Sequence, residues 1–241
     1  MTEVGFCTLD TLCPYLKDRD SRTRYRYIDD CTFSYNSELI KRGYRRFGNY
    51  FSKPICHGCD ECKSIRIDAT NFKFSKSHKR VINKNVGTRI EISKPKVDTE
   101  RLNLYTKYHK FMQEKRDWEF HELDFKRYYN VYVEGAGEFG YEVDYFVNET
   151  LVCVDLIDIG DDGISSVYCY WDPDFAYLSL GKFSLLMQIN MACLSNLKWI
   201  YLGFYVKDCE SLRYKDEYKP YQTLKTYCKI DENPVWLDSL E

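Results

Sequence analysis

Residues 141–171 read YEVDYFVNETLVCVDLIDIGDDGISSVYCYW, and this stretch decides the fold. Residues 141–147, 150–157 and 165–171 are strand-like runs rich in β-branched and aromatic side chains. Asn148-Glu149 supplies a tight turn between the first two, and Gly160-Asp-Asp-Gly163 supplies one before the third. The pattern predicts an antiparallel meander. Downstream, Asp172-Pro-Asp174 ends the third run. Ser179-Leu-Gly181 then opens a segment whose Leu185, Leu186, Ile189, Ala192 and Cys193 fit one helical face, with Ser179 as its N-cap. A last strand is expected at 199–206.

Upstream, Leu102, Tyr105, Tyr108 and Met112 fall at helical spacing within 99–113, and a second helix is expected around 122–132. Lys94-Pro95-Lys96 breaks either periodicity and marks a boundary. Before it, short extended runs such as Ser64-Ile-Arg-Ile-Asp68 alternate polar and apolar residues in a segment rich in Cys, Arg and Tyr. The expectation is an α+β chain with a Cys-rich, basic N-terminal domain at 1–95 and a second domain at 96–241. Strands, a helix, then one more strand is an order similar to the acyltransferase sheet of the GNAT fold.

The chain has 241 residues and is 44% hydrophobic, enough for a substantial core. No apolar run approaches membrane-spanning length, and the opening MTEVGFCTLD lacks the basic and apolar regions of a signal peptide. A soluble, cytoplasmic protein without membrane partners is expected. The closing Leu240-Glu241 has the look of a vector-derived remnant. The net charge of −2 hides a separation: residues 41–96 hold 15 Lys/Arg against 4 Asp/Glu, so one end is a candidate polyanion surface. Eleven cysteines without a secretion signal argue for reduced thiols rather than a disulfide framework.

Cys56-His-Gly-Cys59-Asp-Glu-Cys62 is the sharpest local signal, because two-residue spacers let successive thiolates converge on one ion. Cys13 is the nearest candidate for a fourth ligand. Four thiolates suit zinc or an iron–sulfur cluster, and spacing does not separate the two. On either side of this cluster, Gly43-Tyr-Arg-Arg-Phe-Gly-Asn49 and Phe74-Ser-Lys-Ser-His-Lys-Arg80 mix cations with aromatics and hydroxyls. Such a mixture suits an unpaired RNA end, while Arg45 and Arg46 alternatively suit bidentate grip on a carboxylate. Only Gly181 stands at the helix opening where coenzyme A would favour a glycine-rich cradle, which weighs against that donor. No GxSxG elbow, HExxH or Walker loop is present, so covalent catalysis by a triad has no support.

Taken together these strings resemble the arginyl-tRNA–protein transferase family, in its compact bacterial leucyl-transferring branch. The resemblance begins at Cys13-Pro-Tyr-Leu-Lys-Asp-Arg19 and continues through Arg45-Arg46-Phe47-Gly48, Lys53-Pro54-Ile55-Cys56 and Ser75-Lys-Ser-His-Lys-Arg80. It resumes at Asp172-Pro-Asp174, Tyr201-Leu-Gly-Phe-Tyr205, Arg213-Tyr214-Lys215 and Tyr218-Lys-Pro220. Phe47, Ser52 and Glu210-Ser211 depart from the family's usual residues.

The resemblance implies a double GNAT-like arrangement and transfer of leucine from leucyl-tRNA to proteins with N-terminal Asp or Glu, marking them for degradation. An arginyl-tRNA donor is the near alternative. A coenzyme A-dependent N-acetyltransferase and a metal-stapled RNA-binding module without transferase activity are the alternatives of other classes. DNA is not expected as a partner, and the chemistry needs no cofactor. In this frame Arg213 and Lys215, with Arg45, Arg46 and neighbouring Tyr214, are the expected partners of the acceptor. Asp158 or Asp172 is expected to take the amine's proton, and Lys76, Lys79 and Arg80 to meet tRNA phosphate.

Overall fold

A computed structural model of the chain describes residues 1–239, so the expected remnant at Leu240-Glu241 lies outside the described residues. The chain opens with β1 (Thr2–Cys7), β2 (Thr11–Leu12), β3 (Asp20–Ser21) and β4 (Thr23–Asp29). Helix α1 (Phe33–Lys41), capped by the Thr32 hydroxyl, leads into β5 (Arg45–Phe47) and β6 (Tyr50–Pro54). These build a four-stranded antiparallel sheet in the order β1-β4-β6-β5, with β2 and β3 pairing separately. Alternation puts Ile28 and Phe51 on the face toward α1, where they meet Leu39 and Tyr44 in a small core.

Next come β7 (Lys63–Asp68), α2 (Lys76–Lys84), β8 (Arg89–Ser93) and α3 (Thr99–Arg116). The second expected helix is shorter than its periodicity suggests: α4 (Phe125–Tyr128) passes into one wide π turn, Tyr129–Val133. The meander follows as expected in β9 (Gly140–Val147), β10 (Thr150–Ile159) and β11 (Gly163–Trp171). Asn148 and Glu149 both take positive φ, the conformation a two-residue hairpin needs. Helix α5 (Leu180–Leu194) carries the chain across to β12 (Trp199–Tyr205), which runs parallel to β11. Ser179 occupies the N-cap position of α5 but sits in the left-handed region and makes no side-chain cap, so the helix entry is set by backbone geometry. Helix α6 (Glu210–Arg213), β13 (Tyr221–Leu224) and β14 (Trp236–Asp238) complete the chain.

The second sheet has eight strands in the order β14-β13-β7-β12-β11-β10-β9-β8. It draws β7 and β8 from before residue 95 and the rest from after it, so sequence order and sheet order part company at β7. Helix α5 and α2 cover one face, burying Phe183, Leu186 and Ile189 with Ile67, Val143 and Ile200. Helix α3 covers the other, where Leu102, Tyr105, Tyr108 and Met112 pack on Val154, Leu156 and Tyr170. The helical spacing read from the sequence is therefore the core face of α3. No helix among the described residues is long and apolar enough to cross a membrane.

Candidate active site

The parallel pair β11–β12 is in register only from Gly163–Ser165 against Trp199–Tyr201. Beyond that the two strands part, and β12 bulges against β7 between Tyr201 and Phe204. Strand β11 also takes an irregular step, with Leu156 facing Tyr168 and Ile157 facing Ser166, which leaves Val167 as the extra residue. The wedge opens into a cleft of about 570 Å³, lined by Ser166, Tyr168 and Cys169 of β11, Leu202 of β12, and Tyr108, His109 and Trp118 from α3 and its exit. Arg45, Tyr214 and Lys215 line the same cleft.

Two cations meet in this wedge. Lys215 is buried, and its Nζ donates to the carbonyls of Leu202 at 2.9 Å and Phe204 at 2.5 Å. Burial, helped by the neighbouring charge of Arg45, holds its ammonium down to about 7. Arg45 Nη2 donates to the Val167 carbonyl at 3.4 Å, and the guanidinium lies over the rings of Phe47 and Phe204. Gly203, at φ +70°, makes this possible, because a Cβ there would stand 2.8 Å from Arg45 Nε. The side chains of both cations rest on backbone carbonyls, and among the described residues neither has a carboxylate partner. A negatively charged ligand group is what such a pair can receive.

The other expected site residues lie elsewhere or are already engaged. Arg46 Nε and Nη2 donate to Asp158 Oδ2 and Oδ1 at 2.8 and 2.6 Å, with both side chains at 4% exposure or less. This pair ties β5 to β10. Asp172 accepts from Lys107 at 2.5 Å and caps the turn at Asp174, away from the wedge. Arg213 is exposed at the end of α6 and does not line the cleft. Lys76, Lys79 and Arg80 are exposed on α2, whose His78 stacks on Tyr218, three residues beyond Lys215.

Sequence reasoning missed the aromatic wall and the polar group behind it. His109 Nε2 and the Tyr168 hydroxyl lie 2.7 Å apart, and burial pushes the imidazole down to about 4, so it is neutral at pH 7. Behind β11, Gln188 Nε2 donates to Asp155 Oδ2 at 2.7 Å and to Ser166 Oγ at 3.3 Å. Burial raises the Asp155 carboxyl to about 7. In the sequence, Tyr108 and Gln188 sit within helical core patterns, and nothing local marks them as lining or backing a cleft.

Cys13, Cys56, Cys59 and Cys62 lie near one another beside the four-stranded sheet, and the neighbouring thiols reinforce the burial that raises Cys62. Cys59 Sγ accepts from Arg19 at 3.2 Å and Cys56 Sγ from the Arg22 amide at 3.4 Å. As placed, no three His, Cys, Asp or Glu side chains among the described residues converge as metal ligands. The donor chemistry suits a thiophilic metal, and the packing holds the thiols as neighbours rather than as a closed ligand set.

The family model for the arginine-tRNA-protein transferase C terminus matches residues 100–225, and that for the N terminus matches residues 11–80. An aspartate/glutamate leucyltransferase of Campylobacter jejuni strain RM1221 is 55% identical, covering 98% of each chain. One of Helicobacter hepaticus is 39% identical, again over 98% of each. Among solved structures, L-PGS from Bacillus licheniformis aligns with a TM-score of 0.47 at 13% identity, covering 74% of this chain and 58% of that one. FemX aligns with a TM-score of 0.44 at 10% identity, covering 74% and 61%.

Proposed function

The chain belongs to the arginine-tRNA-protein transferase family, and from that premise we propose that its cleft joins leucine from leucyl-tRNA to the N-terminal amine of proteins beginning with Asp or Glu. The product is marked for degradation by the N-end rule pathway. The observation that carries the acceptor assignment is the pair Arg45 and Lys215, two neighbouring cations in the wedge without an acidic partner among the described residues. Arg45 supplies the planar fork for the acceptor's side-chain carboxylate and Lys215 the second charge.

The aminoacyl ester is already activated, and an α-amine of pKa about 7.7–8.0 is neutral in an appreciable minority at pH 7. The amine nitrogen attacks the ester carbonyl, the N–C bond forms, and the C–O bond to the ribose breaks. The amine's proton ends on the departing ribose oxygen or in solvent. Positioning and oxyanion stabilisation are therefore the larger tasks. Ser166 Oγ accepts from Gln188 Nε2 at 3.3 Å and lines the cleft, which leaves its own proton free to donate to the oxyanion. Asp158, expected as the proton acceptor, is held by Arg46 in a pair that ties β5 to β10, and Asp172, the other candidate, pairs with Lys107 and caps the turn at Asp174.

The parting of β11 and β12 supports a GNAT-like reading of the large sheet, with a cleft assembled from Arg45 before the 95/96 boundary and Lys215 after it. Cys13, Cys56, Cys59 and Cys62 would hold a structural zinc or iron–sulfur cluster, and no step of the transfer runs through it. Lys76, Lys79 and Arg80 extend the basic surface toward tRNA phosphate, and the cytoplasm is the compartment where both substrates meet. The test is a filter assay with labelled leucyl-tRNA, arginyl-tRNA or acetyl-coenzyme A and a peptide starting with Asp. Label should reach the peptide from leucyl-tRNA; transfer only from coenzyme A or only from arginyl-tRNA overturns the donor assignment.

A further inference from the structure

The four-stranded sheet has one face packed on α1; at the β5 end of the other, Phe47 and Arg45 pack against Tyr132, Tyr168 and Phe204, while the rest of that face is largely open among the described residues. Opposed residues in an antiparallel ladder share a face, so the register gathers Phe6, Tyr25, Tyr27, Tyr50 and Phe47 on the side away from α1, together with Arg45. A sheet face turned to water ordinarily carries polar side chains. Here Phe6 is 45% exposed and Tyr50 44% exposed. Phe6 stacks on Tyr25 at 5.4 Å between centroids, and Tyr50 meets Tyr25 and Tyr27 edge-on at 6.5 and 5.2 Å. Phe6 and Tyr50 keep much of their ring surface exposed, and Tyr25 lies half-buried between them.

The ledge also leads somewhere. Tyr25, Tyr50 and Phe47 line a pocket of about 280 Å³ that also holds Arg45, has no Asp or Glu among its described lining, and is bordered by the thiols of Cys13, Cys56 and Cys62. That pocket shares Pro14, Tyr15 and Arg45 with the wedge cleft. One path therefore runs from exposed aromatic rings, through this pocket, into the wedge cleft.

We propose that this aromatic ledge is the track for the unpaired 3′ end of the aminoacyl-tRNA. Its bases stack on Tyr25 and Tyr50, and the terminal base enters the pocket beside Phe47 and Arg45. The inference rests on tRNA being the donor. It is favoured over a protein partner because the ester hangs from the terminal ribose, so a nucleotide must lie next to the cleft wherever the acyl group lies within it. Aromatic rings accept any base face, which suits an end whose sequence does not vary among donors.

Binding of deacylated leucine tRNA, intact or trimmed of its unpaired 3′ nucleotides, is measured on the full chain and on Tyr50→Leu, Tyr25→Leu and Tyr50→Phe. Each leucine variant should weaken intact tRNA by about 5- to 150-fold, the range of one lost stack, and leave trimmed tRNA unchanged. Tyr50→Phe should keep wild-type affinity. Trimmed-tRNA binding reports whether a variant is folded, since a misfolded one loses both ligands. Wild-type affinity for intact tRNA in both leucine variants overturns the proposal. So does an altered KM for the acceptor peptide or an altered sedimentation coefficient with tRNA binding intact, because the ledge would then belong to the peptide or to a second copy of the chain. Leucine transfer by the wild type is scored in parallel. Its absence sinks the donor reading itself, whereas transfer with an indifferent ledge sinks this proposal alone.

Discussion

Asp158→Asn separates a structural carboxylate from a catalytic one. In the native protein both Asp158 oxygens accept from Arg46, at 2.6 and 2.8 Å, and the guanidinium also donates to the Gly48 carbonyl and lies over Phe139. Asparagine keeps one acceptor but leaves the Arg46 charge buried at 4% side-chain exposure without a counter-charge. Removing one partner of a buried ion pair costs about 3–5 kcal/mol, and the retained acceptor places this variant near the lower end, about 3 kcal/mol. For a chain of this size about 3 kcal/mol lowers Tm by roughly 6–12 °C. The double variant Arg46→Met/Asp158→Leu removes both charges and should recover much of that loss. Scanning calorimetry gives the stabilities, and the leucyl-transfer assay at a temperature where every variant is folded gives kcat/KM. A fall in kcat of about 100-fold or more with Tm within about 2 °C of wild type would show Asp158 acting as the base and refute the structural assignment.

If Lys215 receives the acceptor's carboxylate, acceptor binding depends on pH. Its ammonium titrates at about 7 in the free protein, and a bound carboxylate favours the charged form. An N-acetylated peptide beginning with Asp should therefore inhibit with constant Ki below about pH 7 and more weakly as pH rises above it, and Lys215→Met should flatten the profile; a profile unchanged in Lys215→Met contradicts the assignment. Reversing Lys79 and Arg80 on α2 should weaken tRNA binding and reduce the slope of log K against log salt by about 2, as read in a salt titration. An unchanged slope moves the RNA path elsewhere. For the cysteines, anaerobically purified protein should carry stoichiometric zinc or iron by elemental analysis, and Cys56→Ser should release it and lower Tm. Metal-free protein with full activity and unchanged Tm removes the structural cluster from the account.

The meander, α5 and β12 were legible because local rules and tertiary demands agree there: alternation, a hairpin turn at Asn148-Glu149 and an apolar helix face all point one way. The shortened α4 was not, because the π turn at 129–133 is fixed by packing of Tyr128 and Tyr132 into the α3 core rather than by periodicity. The place of β7 between β12 and β13 was also hidden, since a short alternating strand carries no label for its partner. Arg45-Arg46 shows how far a string can be read. The pair was visible as a charged motif, but strand alternation sends the two side chains to opposite faces, one into the cleft and one onto buried Asp158. Ser166 and Gln188 gave no signal, because the meeting of their side chains depends on a register step in β11.

The central claim is that the wedge recognises the acceptor's carboxylate through Arg45. The most direct measurement compares kcat/KM for two peptides that differ only in an N-terminal Asp or Asn, in wild type and in Arg45→Met. Wild type should prefer the Asp peptide, and a lost charged hydrogen bond of about 1.5–3 kcal/mol should shrink that preference by roughly 10- to 150-fold in the variant. An Asp-to-Asn ratio that stays the same in Arg45→Met would contradict it.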